Sequence, residues 1–217
     1  MAWPGGPQTL SQFVGAVLAL EGTPQALTAE QKTRVLAIVR KFEENSRRMG
    51  DATVAITRVL NDRQLPELSR PHRPPDFQPT EFSPGKDPMI ERAISLLEKK
   101  AASSAASPTS SPTGIPMGRG GNIVMGVVYL ESVRELALSP TQARTALDNL
   151  RIMRKEFETR SQLERQLNGV FDARQQETVT KSPIAYGQGE LDAVHLLPSL
   201  MVRWLEGASS SSNTRSK

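Results

Sequence analysis

Two histidines, His72 and His195, are the side chains best suited to hold a transition metal or move a proton near neutral pH. A zinc site needs three or four convergent ligands, and two histidines far apart in sequence do not supply them. No nucleophilic triad is read around either histidine. Cys 0 excludes disulfides, thiolate ligands and thiol nucleophiles. The acid pairs Glu43-Glu44 and Glu156/Glu158 stand beside Lys and Arg at helical spacing, which reads as a solvated helix face. Using two carboxylates on a glycosidic bond would also require a cleft. Gly118-Arg119-Gly120-Gly121 could offer backbone amides to an anion, but no strand precedes it and no Lys-Ser/Thr follows. It reads as the lead-in to a helix. No catalytic constellation, metal site or cofactor is expected, and the chain reads as a non-enzyme.

The elements that would position any site are written twice. Leu27-Thr28-Ala29-Glu30-Gln31 returns as Leu138-Ser139-Pro140-Thr141-Gln142, and Leu60-Asn61-Asp62-Arg63-Gln64 returns as Phe171-Asp172-Ala173-Arg174-Gln175. The step from Gln31 to Gln64 equals the step from Gln142 to Gln175, so the whole block recurs at one constant offset. Register held across two anchors indicates a duplicated module. Each anchor has a local physical reading. Thr28 with Gln31, and Ser139 with Gln142, are capping boxes, in which hydroxyl and side-chain amide each satisfy a backbone N–H at a helix start. Asn61 with Gln64 and Asp172 with Gln175 repeat the arrangement with other cap-forming residues.

Apolar spacing then gives the helices. A short helix covers roughly 8–21 and ends at Gly22-Thr23-Pro24, and a longer one runs from Thr28 to about Met49 with Val35, Leu36, Val39 and Phe42 on one face. Gly50-Asp51 reads as a turn before a third helix marked by Ala52, Ile56, Val59 and Leu60. Six prolines in the 66–86 linker favour extended chain, and Pro88 opens a helix to about Ala102. The second copy repeats this series and closes with a helix from about Glu190 to Leu205, where Pro198 is expected to kink or divide it. The expected fold is all-α: a first module over 1–102, a Ser/Pro/Gly-rich linker over 103–121, a second module over 122–207 and a disordered tail over 208–217. Hydrophobic content of 37%, against about 45–50% in globular proteins, agrees with substantial unpacked chain.

Leu-Thr-x-x-Gln motifs one helical hairpin apart are the mark of the Spy/CpxP family, and 27–64 resembles that pattern, with 138–175 as a second copy. The stretch from Val17 to Gln64 is also similar to bacterial envelope proteins carrying a Leu-Glu-Gly-Thr helical block. The resemblance implies a small helical chaperone or stress-sensing adaptor that binds a protein partner or client, and a pseudo-dimer formed within one chain. Its surface would come from the long helices, with Arg40, Arg47, Arg151 and Arg154 as exposed candidates.

A different reading, a cytoplasmic DNA-associated regulator, would use the basic hairpin around 144–165. It is disfavoured because its Arg and Lys are interleaved with Asp148, Glu156, Glu158 and Glu164, and aromatic content is only 5%. The net charge of +4 is shared evenly between the two halves, so neither is a dedicated basic domain.

The apolar run Phe13–Leu20 is too short to span a bilayer, which takes about 20 residues, and its counterpart Ile123–Glu131 lies inside the chain. Both copies read as core helices, and no transmembrane segment is expected. As written, the chain carries no export signal and reads as cytoplasmic. A start upstream of Met1 bearing a signal, or a signal already removed, would place it in the cell envelope.

Overall fold

The computed structural model describes residues 7, 9–68, 86–102, 123–181 and 197–212. These residues are all-helical: α1 Leu10–Leu20, α2 Ala29–Val59, α3 Leu65–Leu68, α4 Pro88–Ala102, α5 Ile123–Ser132, α6 Pro140–Asn168, α7 Ala173–Lys181 and α8 Leu197–Ser212. None of the described helices is long and apolar enough to cross a membrane.

Local chemistry sets the boundaries. The Thr9 hydroxyl accepts from the Gln12 amide and starts α1, which ends at Gly22 with φ 76°, a left-handed geometry suited to glycine. The Asp87 carboxylate accepts from the Met89 and Ile90 amides, placing Pro88 first in α4. At Gly50-Asp51 the expected turn is absent, and α2 runs through it for 31 residues, about 46 Å. A helical glycine costs about 1 kcal/mol relative to alanine, a penalty that packing on both sides of it outweighs. In α8, Pro198 occupies the second position rather than kinking the helix, because a first-turn N–H has no intrahelical partner to lose. That helix continues through Ser212, beyond the 207 boundary expected from the Ser-rich composition, since an established helix propagates more easily than it nucleates. The short α3 likewise begins before the proline-rich linker and includes Pro66. Residues 69–85 of that linker, the 103–121 linker, Gly118–Gly121, His72, His195 and 190–196 lie outside the described residues.

The helices pack into two compact units, and these do not follow the repeat boundary. One comprises Met1–Ser46 with Thr159–Lys217, the other Arg47–Glu158. The core of the first joins Leu10, Phe13, Val17, Val35, Val39 and Phe42 from repeat one to repeat-two residues that include Leu163, Leu167, Phe171, Val179 and Leu205. Phe13 and Phe171 meet here with ring centroids 5.0 Å apart. The core of the second joins Ala52, Ile56, Leu60, Ile90, Ile94 and Leu97 of repeat one to repeat-two residues that include Ile123, Val127, Leu130, Leu147, Leu150 and Met153. Each long helix therefore supplies one half to each core. A helix of this length carries an apolar stripe longer than one small core can cover.

In the first unit, burial pushes the Glu164 carboxyl above the usual carboxylate range, while Arg160 at 3.5 Å and the Leu10 backbone pull the other way. An acid with a raised folded pKa stabilises fully below its unfolded value and loses that stabilisation as pH rises through the folded pKa. Glu164→Gln should therefore raise the melting temperature near pH 7 and leave it unchanged near pH 3, as read by thermal melts at the two pH values.

Candidate functional site

The motif residues converge in two hydrogen-bond networks, one in each unit. In the first, Thr28 Oγ1 accepts from the Gln31 amide at 3.2 Å and Gln31 Oε1 accepts from the Thr28 amide at 2.9 Å, which completes the capping box. Gln31 Nε2 then reaches into repeat two and donates to Val170 O at 2.9 Å and Gln175 Oε1 at 2.7 Å. Gln175 answers from the N-terminus of α7. Its Oε1 accepts from the Asp172 amide at 3.0 Å, and its Nε2 donates to Gln25 O and Gln31 Oε1, both at 3.0 Å. Each carboxamide thus fills both acceptor and both donor positions. Gln175 is 2% exposed, so this satisfaction is required rather than incidental.

The second network repeats most of these bonds with each residue exchanged for its counterpart in the other repeat. Ser139 and Gln142 form the capping box, with Gln142 Oε1 accepting from the Ser139 amide at 2.8 Å and Ser139 Oγ from the Gln142 amide at 3.3 Å. Gln142 Nε2 donates to Val59 O at 2.6 Å and Gln64 Oε1 at 2.9 Å. Gln64 Oε1 also accepts from the Asn61 amide, and Gln64 Nε2 donates to Leu136 O at 2.9 Å. Val59 corresponds to Val170 and Leu136 to Gln25, so the carbonyl acceptors are repeated along with the glutamines. All eight cap residues make capping bonds, and each first motif is bonded to the second motif of the other repeat. Thr28→Ala and Ser139→Ala should each lower stability by about 1 kcal/mol, near-additively, in denaturant titrations.

Compared with known proteins, the chain matches no family model, no curated protein and no solved structure.

The four candidate surface arginines are divided between the two units. Arg40, in the first unit, pairs with Glu206 at 2.8 Å. Arg47 is exposed in the second unit. Arg151 and Arg154, also in the second unit, line an open groove of about 660 Å³ together with Lys86, Lys155, Glu91 and Glu158. Arg151 pairs with Glu98 at 2.9 Å and Arg154 with Glu91 at 3.5 Å. The lining thus holds four cations and two carboxylates, and Arg151 is also paired with Glu98 and, at 3.7 Å, with Asp148. Ile152, next to Arg151 on α6, is 45% exposed.

One acid departs from the sequence reading. Glu156 is 3% exposed rather than solvated, and its Oε1 receives Arg48 Nη1 at 3.1 Å. Glu43 keeps an exposed position, where it accepts from the Ser199 hydroxyl at 2.6 Å. A further acid outside the motifs, Glu131, accepts from Lys100 Nζ at 3.0 Å and from the Leu138 amide at 2.8 Å. It ties the end of α5 to the lead-in of α6. The pair Leu130-Glu131 matches Leu20-Glu21 of repeat one, with both leucines fully buried, so the recurrence itself carries the signal.

Proposed function

We propose that this chain is a non-enzymatic helical interaction protein, chaperone-like or adaptor-like, which builds within one molecule what a single-module relative would build by dimerising. Its partner or client is a protein segment that combines acidic and apolar side chains, held along the groove of the second unit. One observation carries this reading: the duplicated copies agree at the motifs and differ in charge on the surface. Arg151, Arg154, Lys155 and Glu158 of repeat two stand where repeat one has Arg40, Glu43, Glu44 and Arg47. Two positions thus change from acid to base and one, Arg47 to Glu158, from base to acid, while the capping residues and glutamine networks are kept. Ile152 adds exposed apolar surface beside these cations, suited to an unfolded or amphipathic segment. The resemblance to Spy/CpxP proteins points the same way.

The test is suppression of aggregation of a denatured, acidic test protein at stoichiometric ratio. The wild-type chain should delay aggregation, and Arg151→Glu combined with Lys155→Glu should remove most of the delay while the melting temperature stays within a few degrees. No delay by the wild-type chain, with no partner recovered by pull-down, would end this reading. Binding to duplex DNA that weakens steeply with salt, through release of counterions, would transfer the groove to the DNA-associated reading instead.

A further inference from the structure

Much of what holds each unit together crosses between the repeats. The glutamine pairs Gln31–Gln175 and Gln64–Gln142 do so, as do the ion pairs Arg40–Glu206 and Lys100–Glu131 and the cores around Phe42 and Ile56. Repeat one alone would expose half of each core and leave the buried glutamine donors without the carbonyls they reach. We propose that the two repeats are complementary in trans, so that repeat one of one molecule can receive repeat two of a second copy of this chain. The connection through 103–122 is what keeps the pairing within one molecule.

The geometry of that connection makes the proposal specific. Lys100 in the last turn of α4 bonds Glu131 in the last turn of α5, so the two helices end side by side. Ile123, where α5 begins, lies about 12 Å along that helix from Glu131, so the connection from Ala102 has roughly that distance to span. Extended chain covers about 3.3–3.6 Å per residue, so roughly four residues are the minimum. Residues 103–122 supply ample length, and a connection that spans its sites with length to spare holds them at an effective concentration of order millimolar. At ordinary protein concentration the pairing therefore stays intramolecular. Exchange between copies makes the same bonds and cores, so only the connection decides between the two forms.

Replacing 103–122 with a single glycine removes the reach and should convert the chain to a dimer. The expected result is twice the monomer mass by light scattering, with wild-type helix content and wild-type protection of the Gln31 and Gln142 regions in hydrogen exchange. A folded monomer of that variant overturns the proposal. Should the shortened chain fail to fold, the full-length chain with a protease site placed within 103–122 decides. After cutting, the halves should co-elute as one folded species. When two differently tagged cut samples are unfolded and refolded together, roughly half of the recovered complexes should be hybrid. Halves that separate as independently folded species, halves that fall apart before denaturant is added, or a refolded mixture without hybrids would each overturn it.

Discussion

Gln175→Glu will cost the fold about 2–4 kcal/mol near pH 7, several times the loss from removing a cap hydroxyl. The two residues are nearly isosteric, and a glutamate still accepts from the Asp172 amide, so the local cap survives. What disappears is the side-chain N–H₂, which donates to Gln25 O and to Gln31 Oε1. A carboxylate in its place sets acceptor against acceptor at a position only 2% exposed. For a chain of this size the loss corresponds to a melting temperature lower by roughly 4–16 °C.

The pH dependence identifies the cause. Burial without a donor raises the folded pKa of the introduced carboxyl, so its penalty shrinks as pH falls through that value and the protonated acid regains one donor. Relative to wild type, the variant should recover part of its stability near pH 4. Gln64→Glu should behave in the same way in the second unit. A loss of only about 1 kcal/mol, with no relative recovery in acid, would mean that the glutamines serve as caps alone.

The caps are legible in the sequence because a capping box is local: both partners lie within one helical turn and the residue types announce it. The cross-repeat bonds are not, since nothing in a helical pattern says which distant carbonyl a side-chain amide will meet. A signal is nevertheless present. Glu and Gln serve a capping box equally well, yet Gln31, Gln64, Gln142 and Gln175 are all Gln. Only the amide offers donors as well as an acceptor, and that uniformity is what the two networks require.

The helix boundaries at Leu20, Val59 and Pro88 are readable for similar local reasons, from Gly22, the Asn61 cap and a first-turn proline. The continuity of α2 through Gly50 is not readable, because it depends on buried neighbours on both sides that the local sequence does not name. The composition of each core is hidden for the same reason. Recurring motifs report where sequence similarity begins and ends, whereas a compact unit forms wherever apolar faces meet.

That distinction gives the other large effect. Phe42 is completely buried in the core of the first unit, with the Arg160 guanidinium 6.0 Å from its ring, and Phe42→Ala should cost about 3–5 kcal/mol. The informative quantity is where the loss is felt. Phe42 belongs to repeat one, but its core neighbours include Leu163, Leu167, Val179 and Leu205 of repeat two. Hydrogen exchange on the variant should therefore show lost protection in α1, in the first half of α2 and in repeat-two residues 163–179. Amides around Ile56, Ile94 and Val127, which share the other core, should keep most of theirs. Were each repeat a self-contained module, the pattern would invert: protection would fall around Ile56 and Ile94 and hold across 163–179. The two outcomes differ at segments far apart in sequence, so peptide-level exchange resolves them without assigning a single side chain.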